Sequence, residues 1–489
     1  MPGPAASGDR AVRRLALSPA SPAPSGADAA LIRTILANAT RHALIGWWSA
    51  RGYDRQPAGS RLDLGGTDEE AIRSPASVGY ALATSVALAA DDADPDRTLL
   101  DRAREMAVRL VRSVAGHHRA VESGGWGDAW QSALWAALAG TAGWLLWDEL
   151  DGRERDQVLA MVESEADRFL GWQVEYWKDR AGRFLRPCGD TAGEESAWNA
   201  RLLFLATAML PHHHHHAEWA VKGAELAIGA YATPRDLADH RPIRGRPLTD
   251  WLAGTNAEDD GGFVNHDRYH PDYVATITEM MAGGLVAALA GEPIPLEAIR
   301  GAGLEYRSLI ERAWWPAPER PCPDGPAFVR PGPDNPRGTV YVPSSGAIHY
   351  PQGTDWGPAR RANFMNLDTL VAAYDIDGLA EEARGWARRH GEALLAMQTR
   401  PLVGGALGDG RTYRTVDEDT YPLREEWVAA QAADMWLATW LVARDGTLTM
   451  TDAPLSIRPD VEASRPGRDA AAGSPGQPWA GPSGPGPRR

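Results

Sequence analysis

Apolar residues recur along most of the chain at the spacing of an α-helix. In the segment from 130 to 150, large apolar side chains fall three, four or seven residues apart, as one face of a helix requires. The next segment begins with Asp151 as a helix N-cap and carries apolar groups at Val158, Met161 and Val162. Together the two segments predict a helical hairpin joined by a very short turn.

Comparable patterns recur across the rest of the chain. They predict further helices near residues 27–47, 76–91, 97–116, 194–210, 214–231, 271–290, 295–313, 364–374, 377–399 and 424–443. Strand patterns are scarce and weak, at 327–329 and 339–342. Helix pairs in series without a repeated consensus, with polar, Trp-rich motifs between the pairs, favour a closed ring over an open solenoid. We therefore predict an all-α fold, an incomplete or complete (α/α)6 toroid of helical hairpins with long functional loops.

The two ends of the chain differ from this helical body. Residues 1–26 carry Arg13 and Arg14 before an apolar stretch that Ser and Pro interrupt too early for an ordinary export signal. We predict a disordered leader there, with a twin-arginine export signal as the alternative and the cytoplasm as the default location. Residues 446–489, rich in Pro, Gly, Ser and Arg, hold too few apolar groups to offset the entropy of ordering. We therefore predict a disordered tail over 446–489 and a single toroid domain over 27–445.

Charge and cysteine content narrow the classes of partner and site. The 65 acidic residues exceed the 50 basic ones and give a net charge of -15, which argues against binding nucleic-acid phosphates. No apolar run reaches the roughly 18 residues of a membrane span, so a soluble protein with no membrane partner is expected. The two cysteines, Cys188 and Cys322, lie far apart in sequence without a CxxC spacing. They imply neither a disulfide framework nor a thiolate metal site, although one long-range disulfide stays open.

The stretch DDGGFVNHDRYHPDY, residues 259–273, carries the densest set of chemically active side chains. It brings together Asn265, His266, Tyr269 and Tyr273 between a glycine pair and an apolar run. Its proline suits the first position of the next helix, so the stretch is predicted to be a loop that leads into a helix N-terminus. Functional sites are often built at such positions.

A metal site is an alternative for the same stretch. His266, Asp267 and His270 offer suitable ligands but match no recognised metal-binding spacing, so metal dependence stays open. The run of five histidines at 212–216 cannot all face one ion, and it is predicted to be a variable loop. No cofactor is expected.

Four further polar clusters flank predicted helices, at 64–77, 124–135, 190–203 and 349–364. Indole rings stack on sugar rings, guanidinium groups bind carboxylates, and a mid-helix Asn beside a Trp usually needs a partner. The more ordinary interpretation of the tryptophans is core packing. For 64–77 it is the start of a helix, with acids in its first turn and Arg73 paired to Glu69 or Glu70. Glu194 and Glu195 are interpreted as caps of a helix, which need no further function. The candidate substrate-binding residues are Trp126, Asp128, Trp130, Gln131, Trp198, His270, Asp355, Trp356, Arg360, Arg73 and Glu70.

Helix pairs in series, Trp198 followed by Asn199, and an Asn–His pair with nearby tyrosines resemble the α/α-toroid polysaccharide lyases, in particular the heparinase II/III-like group. The resemblance covers roughly residues 30–445 and implies β-elimination of a saccharide that contains a uronate. Lyases of this group usually carry a β-sandwich domain after the toroid, and the predicted disordered tail leaves no room for one. The catalytic residues that it implies are His266, Tyr269 or Tyr273, and Asn199 or Asn265.

Three other functions remain open from the sequence. A glycoside hydrolase on the same toroid would need two carboxyl groups about 5–10 Å apart, with Asp128, Asp260, Asp267 and Asp355 as candidates. A cyclase or isomerase of specialised metabolism would show an apolar pocket. A toroid that only binds carbohydrate or protein partners would leave the five clusters pointing in separate directions, whereas an enzyme would bring them to one concavity around a saccharide or other small molecule.

Overall fold

The computed structural model describes residues 10–17, 23–89, 97–401 and 408–455. These described residues belong to one compact unit, Met1–Leu455. The parts of the predicted leader at 1–9 and 18–22, and of the predicted tail at 456–489, lie outside the described residues.

Twelve long helices make up the described fold. In chain order they are α1 (Ala27–His42), α2 (Glu69–Ala87), α3 (Arg97–Gly116), α4 (Ser132–Leu145), α5 (Gly152–Asp167), α6 (Gly193–Met209), α7 (His216–Ala230), α8 (Thr278–Leu289), α9 (Ala302–Ile310), α10 (Arg361–Tyr374), α11 (Ala380–Gln398) and α12 (Arg424–Asp445). A π-helical turn, Ala43–Trp47, and a short helix, Trp48–Ala50, extend α1. Two other short α-helices span Leu248–Trp251 and Pro271–Val274.

The strands are short, with two residues each. They are β1 (Lys178–Asp179), β2 (Pro242–Ile243), β3 (Arg246–Pro247), β4 (Gly254–Thr255), β5 (Val264–Asn265), β6 (Arg268–Tyr269), β7 (Ile294–Pro295) and β8 (Met450–Thr451). The pairs β1–β4, β2–β3 and β5–β6 are antiparallel, and β7–β8 is parallel. The weak strand patterns at 327–329 and 339–342 form no strand. The second of these segments makes only an isolated bridge, from Tyr341 to Ile348.

The even-numbered helices form a closed ring. Helix α2 packs on α4, α4 on α6, α6 on α8, α8 on α10, α10 on α12, and α12 returns to α2. Each odd-numbered helix packs against the outside of this ring, and α1 and α11 also contact each other. The predicted all-α fold is confirmed, and the ring of helical hairpins is closed.

Close packing explains why the ring helix α4 is buried on every side. Each of the fourteen residues of α4 is buried, since α2, α6 and the outer helix α5 enclose it. Gly140 lets α6 approach, because a Cβ at that position would lie 2.7 Å from Leu205 and 2.8 Å from Val162. The helix pair predicted from 130 onward is confirmed, and Asp151 forms a capping box with Glu154 at the start of α5.

Helix α2 begins earlier than the pattern predicts. It starts at Glu69 rather than near 76, and the side chain of Asp68 caps it by accepting the Ala71 N–H at 3.0 Å. The structure therefore confirms the interpretation of 64–77 as the start of a helix with acids in its first turn. Pro75 lies within the helix, and residues 71–84 are buried.

A buried network of ion pairs and hydrogen bonds links four helices of the ring. Arg201 on α6 donates to Glu279 on α8 at 2.6 Å and to Asp434 on α12 at 2.7 Å. Tyr80 on α2 donates to the same Asp434 oxygen at 2.9 Å. Four of the six ring helices are thus tied together by one buried guanidinium.

Replacing Arg201 with methionine is expected to lower the free energy of unfolding by about 3–5 kcal/mol, because Glu279 and Asp434 would stay buried without a cation. Urea denaturation measures this change. The matched control is Arg307→Met, which removes an exposed pair with Glu311 and is expected to cost about 0.5 kcal/mol or less. A loss for Arg201→Met no larger than that of the control would contradict the proposed role of the network.

Both ends of the described chain contact the toroid. Within the predicted leader, the Arg13 N–H donates to Met209 O at 2.9 Å, and the Trp144 indole donates to Arg13 O at 2.7 Å. Within the predicted tail, β8 pairs with β7. Of the helices that the structure describes, none combines the length and apolar character that a bilayer crossing needs.

Cys188 and Cys322 form a disulfide, with their Cα atoms 5.7 Å apart. Their separation of 134 residues explains why the sequence does not indicate the pairing. The bond joins the loop before α6 to the long loop between α9 and α10.

Candidate functional site

The loops and first turns at the starts of the ring helices form one continuous cluster, here called the mouth. Arg73 on α2 donates to Gln131, just before α4, at 3.0 Å, and its guanidinium lies 4.3 Å from the ring of Trp427 on α12. The guanidinium of Arg360, just before α10, lies 4.9 Å from the same Trp427 ring. Tyr273, before α8, stacks 4.9 Å from Trp356.

A chain of hydrogen bonds crosses the mouth from a tyrosine to a carboxylate. The Tyr273 hydroxyl lies 3.0 Å from His266 Nε2, and His266 Nδ1 lies 2.7 Å from Asp355 Oδ2. The other Asp355 oxygen lies 3.1 Å from His270 Nε2. We call Tyr273, His266 and Asp355 the relay.

Charge and burial assign the protons in the relay. Burial opposes the Asp355 charge, but hydrogen bonds from His266 and His270 hold the pKa of Asp355 well below its ordinary value. An ionised Asp355 only accepts, so both imidazoles donate to it and His266 Nε2 is left to accept the Tyr273 O–H. Burial, reinforced by the acids Glu194 and Glu195, raises the pKa of Tyr273, so the resting phenol is protonated.

The turn that carries His266 is strained. It is the two-residue connection of the β5–β6 hairpin, where His266 has φ 51° and Asp267 has φ 60°. Such left-handed backbone is costly for residues other than glycine and is often retained at functional sites. The buried Asn265 supports the turn, because its Oδ1 accepts the His266 N–H at 3.1 Å.

A buried arginine borders the relay. Arg360 is buried between aromatic rings and pairs loosely with Asp272 and Asp419, at 3.7 Å and 3.5 Å. Burial lowers the pKa of Arg360, but Asp272 and Asp419 raise it overall, so the group stays charged. Its NH1 has no hydrogen-bond partner among the described residues. A buried guanidinium with a free donor is suited to an anionic ligand.

Arg73 is more fully engaged. One nitrogen donates to Glu69 at 2.8 Å, to Gln131 at 3.0 Å and to the Tyr421 hydroxyl at 2.6 Å. Burial lowers the pKa of Arg73, and Tyr421 and Glu69 more than offset this. The predicted local ion pair is thus formed with Glu69, whereas Glu70 is exposed and offers only its backbone oxygen, to Arg51.

Indole and amide groups line the α4–α6 side of the mouth. Trp130 and Trp198 meet edge to face, with ring centroids 5.2 Å apart, and Trp130 keeps 36% of its surface exposed. Asn199 is 4% exposed, and its Oδ1 has no hydrogen-bond partner among the described residues. The mid-helix position of Asn199 is therefore not explained by a protein partner.

Two glutamates that the sequence interpretation assigned to helix capping belong to this site. Glu194 is 6% exposed in the first turn of α6. Burial, followed by repulsion from Glu195 and Asp190, raises the pKa of Glu194 well above its ordinary value. Burial likewise raises the pKa of Glu195, although Arg186 opposes the shift. Acids at helix N-termini are common and do not indicate a functional site by themselves. Glu194 and Glu195 differ from ordinary capping acids only in their burial in the folded protein.

These shifts predict how folding stability changes with pH. A folded carboxyl with a raised pKa holds a proton that the unfolded chain releases, so stability falls as pH rises above the ordinary value of 4.5. Replacing Glu194 with glutamine should flatten the fall in melting temperature as the pH rises above about 4.5. The control is Glu311→Gln, at an exposed surface pair. An unchanged slope in the Glu194 variant would contradict the assignment.

Three predicted site residues lie away from the relay. Tyr269 faces the opposite side of the hairpin, where its ring stacks 4.0 Å from Trp314 and its hydroxyl meets Ser308 at 3.3 Å. Trp126 is 1% exposed and donates to Val114 O within the core. Asp128 pairs with Arg119 at the exposed surface.

Tyr269 differs from Tyr273 because the chain changes from strand to helix between them. Tyr269 lies in β6, on the face turned toward a cleft of about 330 Å³ that Asp260, Arg312 and Trp314 also line. Tyr273 follows in the short helix Pro271–Val274, which turns it back toward His266. Pro271 opens that helix, as the sequence predicts.

His266, His270 and Asp355 also form a possible metal-binding set, with ligand atoms within 4.8 Å of one another. The third group is Asp355 rather than the predicted Asp267, which is exposed in the turn. In the described arrangement Asp355 accepts protons from both imidazoles, so a cation would have to displace those protons. A second such set, at 213–215, lies in the loop between α6 and α7.

Comparison with known proteins adds little. No family model matches the chain, and neither does any curated protein. Among solved structures, the chain is similar to one described as the crystal structure of an unsaturated glucuronyl hydrolase specific for heparin. The match covers 86% of this chain and 100% of that chain, with 11% identity and a TM-score of 0.44. A likeness of this size carries no argument about function.

Proposed function

We propose that the protein is a lyase that cleaves a uronate-containing saccharide by β-elimination. The observation that carries the proposal is the relay, in which a tyrosine hydroxyl, an imidazole and a carboxylate are joined at 3.0 Å and 2.7 Å beside a buried arginine. Elimination requires a proton to leave the carbon next to the carboxylate and another to reach the departing oxygen. A relay that holds and returns one proton meets both needs.

Arg360 and Asn199 are proposed to bind the uronate carboxylate. Neutralising that carboxylate lowers the cost of the negative charge that develops when C5 loses its proton. Arg360 offers a buried N–H without a partner among the described residues. The amide of Asn199 would donate from its NH2 group to the carboxylate, and its oxygen, which has no partner among the described residues, would accept from a sugar hydroxyl. In its protonated form, which its raised pKa favours, the Glu194 carboxyl would add a further hydrogen-bond donor.

Tyr273 is proposed to act as both base and acid through His266. The tyrosine oxygen takes the C5 proton while its own proton moves to His266 Nε2, and Asp355 stabilises the imidazolium. The C4–O4 bond breaks and a C4=C5 double bond forms. The proton then returns from His266 through Tyr273 to the O4 oxygen, which restores the relay.

Glycoside hydrolysis is a second candidate, favoured by the buried Glu194, whose raised pKa suits a general acid. Of the four carboxylates that the sequence offered for this role, three are engaged elsewhere and the fourth, Asp267, is exposed in the hairpin turn. Asp128 pairs with Arg119, Asp260 with Arg312 in the separate cleft, and Asp355 with two histidines. The charged, hydrogen-bonding mouth also suits a saccharide better than the apolar substrate of a cyclase.

Incubating the full chain with a panel of uronate-containing polysaccharides and oligosaccharides tests the proposal. Elimination gives an unsaturated product that absorbs in the ultraviolet, whereas hydrolysis gives new reducing ends without this absorbance. The relay needs no metal, so activity should survive treatment with a chelator. Silence across the panel, or activity that is lost to the chelator and restored by a divalent cation, would count against the proposed mechanism.

A further inference from the structure

Two loops enclose the strained turn that carries His266. On one side, Asp267 N–H donates to Gly189 O at 3.2 Å, and a Cβ at Gly189 would lie 2.5 Å from the Asp267 Cα. On the other side, a Cβ at Gly325 would lie 2.3 Å from Asp267 O. Only glycine fits at these two approaches, so the turn is held closely from both sides.

The Cys188–Cys322 disulfide joins these two loops. Cys188 directly precedes Gly189, and Cys322 O accepts the Gly325 N–H at 3.0 Å. Cys322 and Val264, the first residue of the hairpin, pack in one small buried cluster, against which Cys188 also lies. The disulfide therefore connects the two loops that contact the turn, one through Gly189 and the other through Gly325.

We infer that the Cys188–Cys322 disulfide is a positioning element for His266, so that opening it lowers turnover. This inference rests on the proposed function for its catalytic consequence. His266 and Asp267 occupy left-handed backbone, which persists only when the surroundings over-determine it. When the disulfide is open, the two loops can separate and the turn can relax. His266 Nε2 then moves away from the Tyr273 hydroxyl. A misplacement of about 1 Å can cost about a hundredfold in rate.

The bond is chemically reachable. Cys188 is half-buried, whereas Cys322 is 2% exposed, so a thiolate reductant would attack the Cys188 sulfur. Dithiothreitol supplies two electrons and two protons, which convert the protein disulfide to two thiols while the reagent closes to its own cyclic disulfide. Nothing else is consumed.

The first test compares the oxidised protein, the reduced protein and a Cys188→Ala/Cys322→Val variant, which keeps apolar packing without the bond. The expected result is a kcat about tenfold or more below that of the oxidised protein, with KM changed less than twofold. Amide hydrogen exchange should become faster at 264–269. Unchanged kcat, or unchanged exchange in this segment, would overturn the inference.

The second test separates positioning from general stability. Adding Asp267→Gly to the cysteine-free variant should recover part of kcat, because glycine adopts positive φ without strain and the turn needs less support. Asp151→Ala, which removes the capping box of the outer helix α5, is the control that lowers melting temperature without lowering kcat. If Asp151→Ala lowers kcat as much as losing the disulfide does, or Asp267→Gly gives no recovery, the positioning role is refuted.

Failure of the proposed function would give a different pattern. A wild-type protein inactive on every uronate saccharide would refute the lyase assignment. Hydrogen exchange at 264–269 would then decide the positioning claim alone. Faster exchange after reduction would support it, and unchanged exchange would overturn it.

Discussion

Replacing Tyr273 with phenylalanine is expected to lower kcat for uronate elimination by about a thousandfold, with a smaller effect on KM. The substitution removes only the hydroxyl that lies 3.0 Å from His266 Nε2, and a well-placed acid–base group contributes about 10²- to 10⁴-fold. The aromatic ring would still pack 4.9 Å from Trp356, so the fold of the mouth should be kept. Steady-state kinetics with the best substrate of the panel measures the change.

Tyr269→Phe is the matched control. Tyr269 lies four residues earlier and is equally buried, but its hydroxyl meets Ser308 on the other side of the hairpin. Its loss should change kcat less than about threefold and cost about 1 kcal/mol of stability. Equal losses from both variants, or a larger loss from Tyr269→Phe, would show that the wrong tyrosine has been placed in the relay.

Asp355→Asn is expected to lower kcat by about 10²- to 10³-fold, although Asp355 does not touch the reacting carbon in the proposed mechanism. An amide has one acceptor and one donor group, so it cannot accept from both His266 Nδ1 and His270 Nε2. An amide N–H facing His266 Nδ1 would force the proton onto Nε2. His266 then could no longer accept from Tyr273.

The control for this variant is Asp260→Asn, which changes a carboxylate in the separate cleft beside Arg312. It should leave kcat within about twofold, as expected for a partly exposed ion pair. The pH dependence of kcat adds a second readout, because a tautomer change alters the profile where simple misfolding does not. More than half of wild-type activity in Asp355→Asn would contradict the relay.

The helix pairs could be predicted because each buries an apolar face whose spacing is visible in the chain. Helix α3 spans the predicted 97–116, and α6 starts within one residue of its predicted position. The apolar pattern placed the start of α2 too late because Pro75 and polar residues interrupt the apolar spacing, although Asp68, Glu69 and Glu70 carry the signals of a helix start. The pattern at 339–342 was wrong as a strand, since this segment is buried but makes only an isolated bridge, from Tyr341 to Ile348.

The candidate site was predictable in part. The side chains of His266, Tyr273 and Asp355 were singled out for their chemistry, but only the fold shows that they are joined. Glu194 was dismissed because an acid at a helix start needs no further explanation, and its burial depends on residues distant in sequence. The distinction between Tyr269 and Tyr273 likewise depends on where the hairpin ends.

The central claim is that the bond is broken by elimination and not by water. Mass spectrometry of the products formed in water enriched in ¹⁸O tests this most directly. The account predicts an unsaturated uronate at one new end and no ¹⁸O at the other, because the departing oxygen comes from the saccharide. A saturated product that carries ¹⁸O at its new reducing end would contradict the account and identify a hydrolase.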